Sequence, residues 1–533
     1  MPRTWSAVAG VAIALPWLWP WAPPPSPSVP GLLAAWSLTA VLWAVLAQAA
    51  PHGAEIGKPR TWVIWGSLLA LAAWRMPVLD LAVLGGLAGS VLCVLVAARS
   101  AARAPTLFIQ HLCWGLLTAA LVSAGIAGLQ YSGLLHQPVS LLGWLHASPN
   151  EEAYGQLRQR NQFGSLMSLG LATWLYLVQT GGSTRLRRGA TWACLGVLTL
   201  GAVASTSRTG ALTWIGLSLL ALMWPIRGAT PCATARVRQG AAVALLGFLM
   251  LCWLLPMLAS SLNTVELPKV SAFERLVSQP EGLGVCESRV LLWHHVLELS
   301  WQRPWLGWGW GELDYAHATQ PIQGQRFCGQ LGHAHNFALH VIVEWGWPLA
   351  LCGLGALGFW IKRHPPWQAR SPMAVLGWSW VGVIGLHSLL EFPLWYGPFQ
   401  MVLGLAIGLI TQQRTPSQAP RIKTRSHMRS CAMVASWLIC TLWAGWDYHR
   451  VSQVFQPPSL RSTACRTTPQ ACLEDVVWFH QARDFVLLRQ SADALPPELA
   501  RVLAKRVVHY APEPWVLTWL ATHPTEPTPP SNR

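Results

Sequence analysis

The chain has 533 residues, 53% of them hydrophobic and only 11% charged, with a formal net charge of +16. So low a charged fraction, with the apolar residues gathered in long uninterrupted runs, excludes an ordinary soluble domain and indicates an all-α polytopic integral membrane protein. The basic surplus falls mostly in loops between the runs, so it reads as an orientation signal, with no nucleic-acid partner implied.

Thirteen runs bounded by Pro, Gly or charge are expected to be transmembrane helices: about 5–22, 31–49, 61–75, 77–98, 107–129, 161–179, 189–206, 209–225, 240–258, 335–360, 372–391, 394–411 and 430–447. The third is short and ends on Arg75, so the count is twelve or thirteen. No small-residue cleavage site follows the first run, which is expected to be retained as a span. The 34 tryptophans against 7 tyrosines suit many interfacial anchors among the membrane lipids.

With the N-terminus inside, six loops carry two or more Lys/Arg on the cytoplasmic side: His52 to Arg60, Arg99 to Arg103, Arg185 to Arg188, Arg227 to Arg238, Lys362 to Arg370 and Arg414 to Arg429. The expected organisation is then N-terminal helices over 1–129, an outer loop 130–160, central helices 161–258, a large outer loop 259–334, C-terminal helices 335–447 and an outer tail 448–533. Of the twelve cysteines, Cys286 and Cys328 fall in the large loop and Cys465 and Cys472 in the tail, two local pairs suited to an oxidising compartment. No metal-ligand spacing appears among them.

The large loop reads as a segment from Phe273 to Gln279, then a helix over Glu287 to Gln302 lying on the membrane surface, then the Trp/Gly-rich turn Pro304 to Gly311. That turn neither follows a strand nor opens a βαβ unit, so its glycines are not a nucleotide fingerprint. The tail suggests two or three amphipathic surface helices, over Cys465 to Cys472, Val476 to Leu488 and Leu499 to Val508. They are expected either to recruit an acceptor or to serve as packing elements.

Candidate chemistry gathers on the outer face. His333-Ala334-His335-Asn336 stands where the loop meets the run beginning near 335, with Glu344 and Gly346 one to two turns further in. A histidine there is placed to handle protons, whereas His333 and His340 read as hydrogen-bonding or helix-lining residues. Arg208 falls in the tight turn between two spans, Arg289 in the loop helix, and Arg160 opens a span ahead of Asn161. Guanidinium groups recognise phosphate bidentately and also serve as snorkelling anchors. There is no serine elbow, Cys/His signature or HExxH. His335 acting as base, with arginines holding an anionic leaving group, suits transfer from a diphosphate donor to a hydroxyl. A transporter or flippase is the competing class. The lack of an inverted repeat and the gathering of polar residues at one face favour the transferase.

The set Ser207-Arg208-Thr209-Gly210, then Ser288-Arg289 with Trp293 and Pro304-x-x-Gly307-x-Gly309, then His335-Asn336-x-x-Leu339 with Glu344-x-Gly346, resembles the O-antigen ligase and polymerase superfamily over about residues 155–412. The stretch His387-Ser388-Leu389-Leu390-Glu391-Phe392-Pro393-Leu394 and the outer tail are more similar to its general protein O-oligosaccharyltransferase branch, the pilin glycosylation ligases. The resemblance implies a GT-C-like helical glycosyltransferase of the bacterial inner membrane, facing the periplasm. It would take a glycan from undecaprenyl diphosphate without metal or cofactor. By this resemblance His335 corresponds to the family's essential histidine and Arg208 and Arg289 to its diphosphate-contacting arginines, all three expected to be catalytic, and Arg160, Asn161, Asn336, Glu344, His387 and Glu391 are expected to bind substrate. Gln162 stands where many relatives have histidine, which weakens a catalytic role for that position. The acceptor stays open among a pilin serine, a lipid A core sugar and the end of a growing glycan.

Overall fold

A computed structural model describes residues 3–49, 59–135, 145–148, 152–181, 185–224, 230–262, 286–329, 331–369, 371–412, 424–491 and 495–523. Among them the regular structure is entirely helical. The expected segment Phe273 to Gln279 lies outside the described residues.

The membrane-type helices are α1 (Arg3–Ala14), α2 (Ser28–Ala49), α3 (Pro59–Arg75), α4 (Leu81–Arg103), α5 (Thr106–Tyr131), α6 (Arg160–Thr180), α7 (Arg185–Ala204), α8 (Arg208–Met223) and α9 (Pro231–Leu262). Among the described residues four helical segments are long and apolar enough to cross a membrane: Ser28–Ala47, Leu81–Arg103, Thr106–Tyr131 and Pro231–Leu258. Shorter apolar helices include Ala7–Leu18, Val63–Arg75, Gly189–Ala204, Arg208–Met223 and Gly397–Thr411. Apolar side chains such as Trp253 and Met223 point outward, an arrangement that lipid tolerates and water does not.

The centre of the bundle is α6, buried continuously from Gln162 to Tyr176 and packed against α5, α7, α8 and α9. Its polar groups are satisfied between helices: the Ser168 and Thr213 hydroxyls meet at 2.9 Å, and the Trp380 indole donates to Thr173 Oγ1 at 3.2 Å. Where α6 and α8 begin, a Cβ on Gly164 would come within 2.8 Å of the Gly210 Cα. Only glycines allow this approach, which sets the starts of the two helices side by side.

The large loop folds into a small helical unit of α10 (Arg289–Gln302), α11 (Leu313–Thr319) and α12 (Phe337–Trp345) around Leu292, Val296, Leu299, Trp308, Leu313 and Val343. Helix α10 buries Leu292, Val296 and Leu299 in this unit and leaves Val290 and Trp301 exposed. The apolar run expected over 335–360 is likewise not one helix. It breaks at Gly346 (φ 83°) into α12 and α13 (Trp347–Arg363), so His335 precedes a loop helix and not a span. The break is forced by the Trp/Gly turn, whose backbone pairs with the end of α12: Trp308 N donates to Val343 O at 2.9 Å, Gly309 N to Glu344 O at 2.9 Å, and Trp347 N to Pro304 O at 2.8 Å. A Cβ on Gly307 would stand 2.4 Å from the Glu344 carbonyl carbon, and one on Gly346 2.4 Å from Trp305 O.

Next come α14 (Pro372–Ser388), α15 (Gly397–Thr411) and α16 (Thr424–Phe455). The expected 372–391 span ends at Ser388, leaving Leu389 to Tyr396 as an irregular connection around a short turn at Pro393. Helix α15 packs between α4 and α14, while α16 packs on α2.

The tail contributes α17 (Thr463–Thr467), α18 (His480–Ser491), α19 (Pro497–Tyr510) and α20 (Pro514–Thr522). Their apolar faces meet one another and the end of α16 in a core containing Val451, Leu473, Phe485, Leu488, Leu503 and Val507. These are therefore packed helices, and their buried faces are unavailable to a bilayer. Asp447 fastens the tail by accepting from the backbone N–H groups of Val477, Trp478 and Phe479 at 3.1, 2.7 and 3.2 Å. The tail also meets the loop unit, where His509 Nδ1 lies 2.7 Å from Glu312 Oε2. Disulfides join Cys286 to Cys328 and Cys465 to Cys472, with Cα–Cα distances of 5.5 and 5.7 Å.

Candidate active site

Four helix starts meet at one place, each shaped by its capping residue. Gln159 caps α6 by accepting from Gln162 N at 2.8 Å; Ser207 caps α8 through Gly210 N at 2.9 Å; Ser288 caps α10 through Leu291 N at 3.2 Å; Asn336 caps α12 through Leu339 N at 3.1 Å. Three of the caps are followed directly by arginine, so Arg160, Arg208 and Arg289 each open a helix. Exposed N–H groups and the helix dipole add partial positive charge to these cations.

Glu391, in the connection after α14, is the hub. Its side chain is only 3% exposed. One carboxylate oxygen accepts from Asn161 Nδ2 at 2.5 Å and is paired with the Arg289 guanidinium. The other lies 2.7 Å from His335 Nδ1. Asn161 is itself oriented by the Ser207 hydroxyl, which donates to its Oδ1 at 2.7 Å. Burial pushes the Glu391 carboxyl up, but the His335 hydrogen bond and the charges of Arg289 and His335 outweigh it and hold the group below the usual carboxylate range. An ionised carboxylate only accepts, so His335 Nδ1 carries a proton toward it. The Nε2 lone pair of a neutral imidazole is then left for another partner.

His335 is held in place by its surroundings. Its backbone is left-handed (φ 50°), an uncommon conformation for a residue with a side chain. The turn before it is fixed by the Trp293 indole donating to Ala334 O at 3.0 Å. The residue after it, Asn336, donates to Leu389 O at 3.1 Å. Phe392 meets the imidazole edge-on at 5.0 Å. The imidazole keeps 31% of its side chain exposed, enough for a substrate to reach it.

Other expected residues fall differently. Arg208 is exposed beside Ser207 at the start of α8. Arg289 commits one terminal nitrogen to Glu391 and the other to Leu390 O. With five N–H donors in a guanidinium and 38% of this side chain exposed, it retains donors for an anion. Arg160 pairs with Glu152 at 2.8 Å and makes no described bond to the hub. Glu344 and His387 are each 1% exposed, so neither contacts a substrate in this conformation. Glu344 sits 3.3 Å from His340 Nε2 inside the loop unit, and His387 packs edge-on against Phe399. His333 is half-buried against Phe392 and Trp395, and desolvation lowers its pKa well below the usual value, with His340 and His335 adding to the shift. Sequence reasoning did not single out Ser207, Glu152 or Phe392 as site residues; the serine's place ahead of arginine at a helix start was the available signal.

A partly exposed, carboxylate-oriented histidine among arginine-bearing helix starts is an arrangement chemically suited to an anionic group. Residues 193–354 match the family described as O-Antigen ligase, and residues 375–523 the family described as Virulence factor membrane-bound polymerase, C-terminal. Over these two stretches the chain is similar to the O-antigen ligase superfamily. It is similar to a General O-oligosaccharyltransferase of Acinetobacter baylyi, 24% identical over 347 residues that cover 64% of this chain and 57% of that protein. It is also similar to a ComP-specific O-oligosaccharyltransferase of the same organism, 22% identical over 293 residues covering 55% and 50%. The chain thus matches just over half the length of these curated relatives.

Proposed function

We propose that the protein transfers a glycan from undecaprenyl diphosphate to a hydroxyl acceptor on the periplasmic face of the bacterial inner membrane, and that the acceptor is a protein of the pilin type. The observation that carries this reading is the Ser207–Asn161–Glu391–His335 network with Arg289 on the same carboxylate. In the proposed reaction the acceptor oxygen attacks the anomeric carbon of the first sugar. The bond from that carbon to the diphosphate oxygen breaks, and undecaprenyl diphosphate leaves. The acceptor proton passes to His335 Nε2, and Glu391 stabilises the imidazolium that forms. Arg208, Arg289 and the helix starts offset the charge that grows on the departing diphosphate, so the step calls for neither metal nor nucleotide sugar.

The names of the two relatives support transfer of an oligosaccharide, and the resemblance of the His387 to Leu394 stretch to the protein O-oligosaccharyltransferases supports a protein acceptor. The O-Antigen ligase match supports a second reading, in which the acceptor is a lipid A core sugar or another glycan. The deciding experiment supplies purified protein with undecaprenyl-diphosphate glycan and, separately, a pilin and a lipid A core. Transfer to pilin that falls about 10²- to 10⁴-fold in His335→Ala is expected, the usual scale for losing a general base. Unchanged transfer by folded His335→Ala would end the reading. Retained glycan export with no transfer in any form would point to a transporter.

A further inference from the structure

Beside the hub lies a cleft of about 410 Å³. One wall is the connection from Pro16 to Ser28 between α1 and α2, another the stretch ahead of α6, and the third the connection from Phe392 to Phe399. Phe392 and His333 belong to both cleft and site, so an occupant would lie next to the His335 imidazole.

The walls are braced. Tyr448 accepts from Ser26 N at 2.8 Å, and its hydroxyl proton is shared between Pro23 O and Ser26 O, fixing the Pro-rich wall. Arg158, in a left-handed conformation (φ 58°), donates to Ala22 O at 2.9 Å and reaches His146 Nδ1 at 2.9 Å, tying the second wall to the first. Desolvation first, and then Arg158, lower the His146 pKa to about 4, so its nitrogen is free to accept.

The lining has a specific chemistry. Trp17, Trp19 and Trp21 line it with indole rings, of which Trp21 is exposed and Trp17 buried; Gln156, Gln159 and Gln162 bring carboxamides, with Gln156 and Gln162 buried behind the surface, and Arg158 adds a guanidinium. Among the described lining residues there is no carboxylate. A pyranose ring has C–H faces that stack on aromatic rings and a rim of hydroxyls that exchange hydrogen bonds with amides. An isoprenoid chain would instead desolvate the amides with nothing in return. The volume suits a compact ligand, within the roughly 300–1,000 Å³ typical of such sites.

We infer that this cleft is a carbohydrate subsite that holds a sugar ring against His335, a deepening that rests on the transferase reading. Either the first sugar of the lipid-linked donor or a saccharide acceptor would present that ring. The test uses full-length protein in nanodiscs, with Trp21→Ala as the main variant because Trp21 is already 39% exposed. Trp21→Phe, which keeps an aromatic face, checks that any loss is not a folding defect. Saccharide binding is read directly, by indole fluorescence with the free donor oligosaccharide. Donor binding is read by comparing undecaprenyl-diphosphate glycan with bare undecaprenyl diphosphate.

Wild type should bind the glycosylated lipid more tightly than the bare one. Trp21→Ala should erase about tenfold of that advantage, leave the bare lipid's affinity unchanged and weaken the free oligosaccharide, with Trp21→Phe close to wild type. A rise confined to donor KM assigns the ring to the donor, and one confined to the KM of a saccharide acceptor assigns it to the acceptor. Equal weakening of both lipids, absence of saccharide binding by wild type, or an effect on the pilin KM alone overturns the subsite, the last by making the cleft a peptide site. Absence of transfer to every acceptor overturns the transferase reading separately, because saccharide binding is measured without turnover.

Discussion

Glu391→Gln isolates the hub with little change of volume. The carboxylate takes His335 on one oxygen and Asn161 with Arg289 on the other. An amide has one accepting oxygen, so its NH₂ must face either the protonated His335 Nδ1 or the two donors opposite. Placed toward His335 it repels the N–H and favours the tautomer whose Nε2 is protonated and useless as a base. Transfer should therefore drop about 10²- to 10⁴-fold in kcat, equivalent to roughly 3–5 kcal/mol of barrier. The stability cost should be smaller. One charge-assisted hydrogen bond contributes about 1.5–3 kcal/mol, but Arg289 is 38% exposed and water screens part of its lost pairing, so about 1–2 kcal/mol is expected.

The assay is single-turnover transfer from labelled lipid-linked glycan at saturating donor, with thermal unfolding of the same preparation. Acid supplies an independent check. Because the Glu391 carboxyl is depressed in the folded protein, its contribution is complete above the usual carboxylate range and disappears as pH falls through the lowered value. Wild type should lose Tm on acidification more steeply than Glu391→Gln. A folded Glu391→Gln with wild-type kcat and the same acid slope would refute the role given to this carboxylate.

Arg208→Lys and Arg289→Lys should each impair donor binding or turnover despite retained charge, since an ammonium lacks the two-pronged geometry; unchanged donor affinity and rate in both would reduce them to membrane anchors. Asp447→Ala should destabilise the protein by about 2 kcal/mol by leaving three part-buried backbone donors at the root of the tail without their acceptor, measurable as a lowered Tm and earlier proteolysis after residue 448. Single engineered cysteines at Gln279 and Gln490 should label from outside intact cells while one at Gln368 is protected; the reverse pattern would put His335 on the cytoplasmic face and end the lipid-diphosphate reading.

Hydropathy located the helices because each is built from a continuous apolar run, and all thirteen expected spans fall on helical segments. What it concealed were breaks whose cause lies elsewhere in the chain. The run around Gly346 is apolar throughout, and only the distant turn at Pro304 to Gly309, seated on its backbone, ends the helix there. The tail helices read as surface-seeking because an amphipathic pattern shows that a face will be buried and not what will bury it. His335, Arg208, Arg289 and Asn161 were legible as types at helix starts, whereas the Asn161–Glu391 bond joins residues 230 positions apart. Glu391 stood among nine candidates, and no spacing rule marked it as the residue to which the others bind.

The backbone pairing between the Trp/Gly turn and the end of α12 has a mechanical consequence. To slide along its axis, α12 would have to break bonds to the turn at one end and the Asn336–Leu389 bond at the other. His335 is thus mounted on a braced helix start, and because the facing connection is itself held through Leu389 O, Leu390 O, Glu391 and Leu394 O, the freedom left for an acceptor lies in the Phe392 side chain. Admission of an acceptor is expected to swing Phe392 aside while the imidazole stays still.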